Sequence, residues 1–361
     1  MNLGLVVFRG LRVLRKGADV ARRMALPRRA RAPQSPLHNR LVAAAARKIG
    51  LAVDELPYQV LRLSEGERVV YSTDFNFSFE SLTAYWLCGN KHLTSTLLRE
   101  RGVPVPEFAV YKAGDLGRAF AAFPALKTPV VVKPCFGSSG TGITVGVKTL
   151  PEFRRACYRA ALAADPVIVE RMVPGRHWRI TLFDGQLVFA CERIPATVVG
   201  DGQATILKLV GLSNAAIAER GGFPSAYPIV IDDETHAALR EQGMTPASVP
   251  AAGRRVVLKR ICNAAVGGRT ADITASVHDD YLELARKAAA TMGARLSGVD
   301  IIGPDAARPI EPGRVFVNEV NTTPDLLLPG FDVSGAADAT ATVGRLLRMV
   351  FASPQILRKA A

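Results

Sequence analysis

The sequence predicts a mixed α+β protein. Short apolar strands joined by tight turns recur along it, as at 178–192, where Asp184-Gly185 separates two alternating runs. Segments of helical periodicity lie between such hairpins, with neither a regular βαβ series nor an internal repeat. The chain has 361 residues, 48% of them hydrophobic. That is material for a sizeable buried core in one large domain or two to three smaller ones.

From the amino terminus, residues 38–52 (HNRLVAAAARKIGLA) combine helical periodicity with good helix formers. Alternating strands follow at Tyr58–Leu63 and Glu67–Ser72, turned by Ser64-Glu65-Gly66. Residues 80–102 read as one helix, stopped by Gly102, Pro104 and Pro106. Val130-Val131-Val132 is a β-branched strand ending at Lys133-Pro134, followed by the loop Gly137-Ser138-Ser139-Gly140-Thr141-Gly142. A strand at Ile143–Val147, a helix at 151–164 and a strand at Val167-Ile168-Val169 come next. Residues 254–261 predict another strand and 279–294 an amphipathic helix. Two late strands are Val299-Asp300-Ile301-Ile302 and Val315–Val320.

Charge is unevenly distributed. Of the net +14, residues 1–36 hold +8, from nine Arg and Lys against Asp19, leaving a mildly basic body. That balance does not describe a nucleic-acid binder. The leader has apolar residues (Leu3, Val6, Val7, Leu11, Leu14, Val20, Met24) interrupted by glycines. It reads as a membrane- or partner-touching helix, a transit-like extension or a mobile tail. Arg28 to Pro36 reads as a linker. Cys88, Cys135, Cys157, Cys191 and Cys262 form no CxxC pair, which argues against zinc and iron–sulfur sites and for a reducing, cytoplasmic setting. No run approaches the length of a membrane span.

Three stretches carry chemistry. Lys133 at a strand end, followed by small residues, suits a polyphosphate: the lysine supplies a point charge and glycines admit backbone N–H groups. It matches neither a P-loop nor a Rossmann fingerprint, and a plain glycine-rich hairpin turn explains it as well. Glu319 and Asn321 are two apart on a strand and so share a face. With Asp300 on a neighbouring strand they offer hard oxygen ligands for Mg²⁺, whereas the alternative is an ordinary polar edge. The third stretch, Val167–Val173, is a strand running into a linker, whose backbone suits an adenine edge.

In this order the pieces resemble the ATP-grasp superfamily, in particular the ATP-grasp domain of cyanophycin synthetase, over roughly residues 86–350. The resemblance is carried by GNKHLTSTLLRERGVPVPEF (89–108), VVVKPCFGSSGTGITVGV (130–147), VIVERMVPGRHWRI (167–180), RIPATVVGDGQATILKLV (193–210), CNAAVGGRTADITASVHDDY (262–281), SGVDII (297–302) and NEVNTTP (318–324). It implies an ATP-grasp fold, with two α+β subdomains gripping ATP behind a short amino-terminal α/β region. The implied division is a basic extension and linker at 1–36, an amino-terminal region at 37–90, a lid subdomain at 91–170, a catalytic subdomain at 171–350 and a tail at 351–361. It further implies that Lys91 and Lys133 hold ATP phosphates and that Ser138, Ser139 and Gly140 form the lid loop. Glu170, Arg171 and Val173 match the adenine hinge, and His177 the ribose position. Asp300, Glu319 and Asn321 match the Mg²⁺ ligands. Arg260 and Asn263, with Gly267 and Gly268, match the surroundings of the γ-phosphate and acyl phosphate. Arg193 is placed for a substrate carboxylate or developing charge.

Two departures stand out. The ribose position is His177 where the family has an acid; a neutral imidazole can still accept a hydroxyl hydrogen bond. After Asn321 the family continues with Pro-Gly and later a His, but here the chain reads Pro324-Asp325-Leu326-Leu327-Leu328-Pro329-Gly330. The resemblance leaves out the large flanking parts of cyanophycin synthetase, so it does not by itself imply polymer synthesis. The expected activity is ATP- and Mg²⁺-dependent amide formation between a carboxylate and an amine, on amino acids or small peptides. Rivals are a ligase extending a protein or peptide tail, and a non-catalytic binding protein on the same fold. No nucleic-acid partner is expected, and self-association is compatible. Cys135, His278 and Trp178 read as a small buried thiol, a helix cap and a core residue respectively.

Overall fold

The computed structural model of the chain describes residues 36–137, 140–220 and 222–356. The expected extension at 1–36 (all but Pro36), Ser138 and Ser139 of the expected lid loop, and 357–361 of the tail lie outside the described residues.

In chain order the elements are α1 (Pro36–Lys48), β1 (Ala52–Leu56), β2 (Val60–Glu65), β3 (Arg68–Thr73), β4 (Asn76–Phe77), α2 (Leu82–Gly89) and α3 (Lys91–Glu100). Then come β5 (Phe108–Tyr111), α4 (Leu116–Ala122), β6 (Val130–Pro134), β7 (Thr144–Val147), α5 (Leu150–Ala163) and β8 (Val167–Arg171). They are followed by β9 (Arg176–Phe183), β10 (Gln186–Ile194), β11 (Thr197–Val199), α6 (Ile206–Ala215), β12 (Glu219–Arg220), β13 (Phe223–Pro224), α7 (Asp233–Glu241) and β14 (Arg255–Val257). The chain continues through β15 (Arg269–Asp272), α8 (Asp279–Met292), β16 (Leu296–Gly303), β17 (Phe316–Asn321) and α9 (Ala339–Ala352).

A five-stranded antiparallel sheet, ordered β15-β10-β9-β16-β17, forms the centre. Alternation along β9 sorts its side chains: Trp178, Ile180 and Leu182 join one buried cluster with Tyr281, Ala285, Ala288 and Met292 of α8. Cys88 of α2 and Leu98 of α3 enter the same cluster. Phe183, with Val188 and Phe189 of β10, faces a second cluster built from α1, α9 and the β1–β4 meander. There α9 lies against α1 so closely that a Cβ on Gly344 would sit 3.1 Å from Ile49 Cγ2. A second antiparallel sheet, ordered β5-β8-β6-β7, is backed by α4 and α5 around Phe153, Ala156, Cys157 and Ala160. A small module pairs β11 with β14 under α6 and α7. Among the described residues no helix is long and apolar enough to cross a membrane.

The α+β expectation stands, with local corrections. The helix expected over 80–102 is two helices, because the Asn90 side chain accepts the His92 and Leu93 N–H groups at 3.1 and 3.2 Å and caps α3. Short amide side chains compete with the helical backbone in this way. Within the region expected as 91–170, α3 packs on α8 and β17 of the central sheet, while 108–171 builds the second sheet. The strand expected over 254–261 stops at Val257. The Arg260 and Ile261 N–H groups turn to Glu234 Oε1 at 3.0 and 3.2 Å rather than to a neighbouring strand. The β2–β3 turn falls at Gly66-Glu67, between Glu65 and Arg68, which are register partners. The segment 172–175 joins β8 to β9. Gly175 has φ +150°, and a Cβ there would lie 2.9 Å from Gly303 N, so only glycine fits this hinge.

Candidate active site

Between the two larger sheets lies a cavity of about 680 Å³. Its upper wall comes from β6, β7 and, between them, Phe136, Gly137, Gly140, Thr141 and Ile143; its rim is the 170–173 segment; its floor is the face of β9, β10 and β17. Residues 260–265 and the stretch after β17 complete the lining.

The Asn90 cap places Lys91 at the first turn of α3. Its N–H bonds Cys135 O at 2.9 Å and its Nζ donates to Gly137 O at 2.8 Å. Lys133 projects from the end of β6, where Nζ pairs with Glu170 Oε2 at 2.7 Å and approaches Asn318 Oδ1 at 3.4 Å. Both partners of that ion pair have side chains only 4% exposed. Glu170 is thus engaged by a lysine on the adjacent strand: it pairs in register with Val131, two residues before Lys133 and on the same face of β6. Arg171 and Val173 line the rim as expected, joined by Met172. The Arg171 and Met172 N–H groups are held by Glu107 O (2.8 Å) and Pro129 O (3.1 Å), which fixes the rim's path.

His177 lies beside Arg193 in the register of β9 and β10. Burial, and then the Arg193 charge, lower its pKa, which keeps the imidazole neutral near pH 7 and able to accept a hydroxyl. Asp300 does not line the cavity. It is buried behind Arg179, which grips it with Nε at 2.6 Å and Nη2 at 2.9 Å, and Arg193, which adds Nη1 at 2.8 Å. Burial alone raises this carboxyl; the two guanidiniums outweigh it and hold it well below the usual carboxylate range.

Glu319 lies directly opposite Asp300 across the β16–β17 ladder, and both Glu319 and Asn321 line the cavity. Asn321 Nδ2 donates to Glu319 Oε1 at 3.2 Å. One carboxylate and one amide oxygen facing the cavity from β17 are hard donors of the kind a small divalent cation takes, whereas Asp300, expected as a third ligand, is held by its arginines behind them. Among the described residues no group of three or more His, Cys, Asp or Glu forms a metal site, so any cation here relies on this mixed set.

Arg260 reaches the cavity, but its guanidinium is engaged: Nε bonds Glu241 Oε2 at 2.9 Å and Nη1 bonds Val145 O of β7 at 2.9 Å. Asn263 lines the cavity and caps the following short turn through Ala265 N–H at 3.0 Å. Gly140 lines the cavity as well, while Gly267 and Gly268 do not. Gly268 instead supports Asn263, since a Cβ there would meet Asn263 O at 2.7 Å. The bland readings hold elsewhere. Cys135 is fully buried, and burial pushes its thiol up to about 11. His278 caps α8 and Trp178 is core, its Nε1 bonded to Gly303 O at 3.1 Å. Sequence reasoning missed Arg179, Asn318 and the exposed pair Tyr85 and Trp86, all on the cavity wall, while Asp325 of the departing 324–330 segment lies there too. An arginine within the apolar run of β9 was the one signal available.

No protein-family model matches the chain. It is 30% identical over 271 residues to the cyanophycin synthetase of Trichormus variabilis, covering 74% of this chain and 30% of that protein. It is also 30% identical over 291 residues to the glutathione biosynthesis bifunctional protein GshAB of Streptococcus thermophilus, covering 79% of this chain and 38% of that one. The chain thus spans about a third of the length of these curated relatives. Among solved structures, the bifunctional glutathione synthetase from Pasteurella multocida superposes with a TM-score of 0.59 at 27% identity, over 86% of this chain and 43% of that one.

Proposed function

The chain belongs to the ATP-grasp superfamily, and from that premise we propose that it is an ADP-forming carboxylate–amine ligase dependent on ATP and Mg²⁺. The observation that carries the reading is one cavity holding two lysines at its upper wall and the Glu319–Asn321 pair on its floor. Cations opposite hard oxygen donors suit a triphosphate held between them. Mg²⁺, when bound, would be held by Glu319 and Asn321 with Asp300 at their back, and would offset phosphate charge.

The chain's own residues divide the remaining work. Val173 and Met172 flank the nucleobase, and neutral His177 accepts from a ribose hydroxyl. Lys91 and Lys133 meet the phosphates, with Gly137 and Gly140 beside them. Asn263 stands by the γ-phosphate, with Arg260 held nearby by Glu241 and Val145 as a background positive charge, and Arg193 by the carboxylate being activated. In-line transfer of the γ-phosphoryl group gives an acyl phosphate; an amine then displaces phosphate and forms the amide. No protein nucleophile is required. The second sheet, 108–171, is the lid and the central sheet the catalytic half. Substrates are amino acids or small peptides, and the setting is the cytoplasm, where ATP is abundant and buried thiols stay reduced.

The exposed Leu82, Tyr85 and Trp86 on α2 favour a second reading, a ligase that extends a peptide tail lying along that ledge. One assay addresses both. The protein is incubated with ATP, Mg²⁺ and panels of amino acids and peptides, with ADP release and new masses recorded. Amide products on amino acids support the first reading and products on peptides alone the second. ADP release at the buffer level with every acid–amine pair overturns both and leaves a binding protein.

A further inference from the structure

Three acidic side chains line the cavity: Glu170, Glu319 and Asp325. Glu170 is neutralised by Lys133 at 2.7 Å, and Glu319 shares the metal set with Asn321. Asp325 has no part in the mechanism above. Cationic residues otherwise dominate the wall, with Lys91, Lys133, Arg171, Arg179, Arg193 and Arg260 suited to the negative charges of ATP and a carboxylate. A ligase of this class must also admit one positively charged reactant, since an aliphatic amine is an ammonium ion at neutral pH.

Asp325 follows the end of β17 at Asn321 by four residues and lines the same cavity. Leu326, Leu327 and Leu328 are buried in the cluster beneath α1 and α9, which fixes the segment. The carboxylate accepts the Leu327 N–H at 2.9 Å. The charged and titratable groups that act on it or that it acts on are His38 from α1, Arg179 from β9, Arg193 from β10, and Tyr227. A carboxylate held half-buried among leucines and open to a cavity is poorly solvated, so a cation entering there meets little competing water.

We propose that Asp325 is the anchor in this cavity that selects the ammonium group of the amine substrate. The inference rests on the ligase reading above. The ammonium donates to the carboxylate and passes it one proton, which exposes the nitrogen lone pair. The lone pair attacks the acyl carbon, the C–N bond forms, and the acyl C–O bond to phosphate breaks. The phosphate leaves with that electron pair and takes the second nitrogen proton; Asp325 returns its own to water. Burial raises the proton affinity of this carboxyl, in keeping with its accepting role.

The test compares two nucleophiles. Hydroxylamine is largely uncharged at neutral to mildly alkaline pH and traps acyl phosphates as hydroxamates; the common amino acids, offered in pairs, supply an ammonium. Asp325→Asn keeps an oxygen for the Leu327 N–H, so the local fold is retained. The expected result is at least a tenfold rise in the ratio of hydroxamate to amide turnover, through a higher KM for the amine with KM for ATP little moved. Asp325→Glu should recover part of the amide rate. Equal losses with both nucleophiles, or an unchanged ratio, overturn the proposal and leave Asp325 a cap for its own turn. A wild-type protein that yields neither hydroxamate nor amide refutes the ligase reading instead, before any variant is compared.

Discussion

Replacing Lys133 by Met tests the electrostatic centre of the cavity. Methionine keeps most of the side chain's length and removes the ammonium. Glu170 then remains as a carboxylate whose side chain is 4% exposed, without its partner at 2.7 Å. Breaking a buried pair from one side costs roughly 3–5 kcal/mol, most of it the penalty of the stranded charge. The weaker contact at 3.4 Å to Asn318 adds little. Adding Glu170→Gln removes the stranded charge, so the double variant should regain at least about half of that loss, a coupling well above the few tenths expected of independent sites. Urea denaturation followed by circular dichroism reads the stability of all four members of the cycle. ATP binding, measured in parallel, should fall at least tenfold in both variants that lack Lys133. A single Lys133→Met variant within about 1 kcal/mol of wild type, or a double variant no better than the single, would refute the reasoning.

Glu319→Gln with Asn321→Ala should abolish Mg²⁺-dependent ADP release and leave the circular dichroism spectrum unchanged; undiminished ADP production sinks the metal assignment. Asp300 is depressed in the fold, so its contribution is present above the unfolded carboxylate value of about 4 and is lost as pH falls through that value towards the folded one. An acid titration should therefore show the stability gap between wild type and Asp300→Asn closing below about pH 4, and a gap that widens there would contradict the Arg179–Asp300–Arg193 account. Gly268→Ala drives a Cβ towards Asn263 O at 2.7 Å and Ile194 O at 3.0 Å, both backbone atoms. A loss of about 1–3 kcal/mol with reduced turnover is expected, and wild-type thermal stability would show that the 263–268 turn tolerates the change.

Much of the site was legible because its residues break a pattern. Glu319 and Asn321 interrupt an apolar strand, and Lys133 ends one, so each asked for a partner. The structure supplies those partners, but their pairing was not readable. That Lys133 meets Glu170 depends on β6 lying beside β8, a register no local spacing encodes. Asp300 looked like a free ligand because Arg179 and Arg193 are distant in sequence and adjacent only after β9, β10 and β16 align. Arg260 looked available for phosphate, whereas tertiary contacts with Glu241 and Val145 hold it. In the fold, long periodic segments such as α5 and α8 were readable. The Asn90 break was not, since capping and mid-helix asparagine look alike until the backbone turns. Short elements such as β1, β11 and β15 owe their form to neighbours rather than to their own pattern.

The packing of α9 on α1 bears on how the chain is made. Synthesis delivers α1 and the β1–β4 meander early, with Leu41, Val42, Leu61 and Leu63 on their apolar faces. Val343, Leu346, Leu347 and Val350, which cover those faces, emerge only after the rest of the described fold. The nascent chain therefore carries an uncovered hydrophobic surface from the synthesis of α1 to that of α9, and the layer around α1 locks only once α9 is made. A ribosome stalled before α9 would hold all five strands of the central sheet above an open core, a ready client for a chaperone.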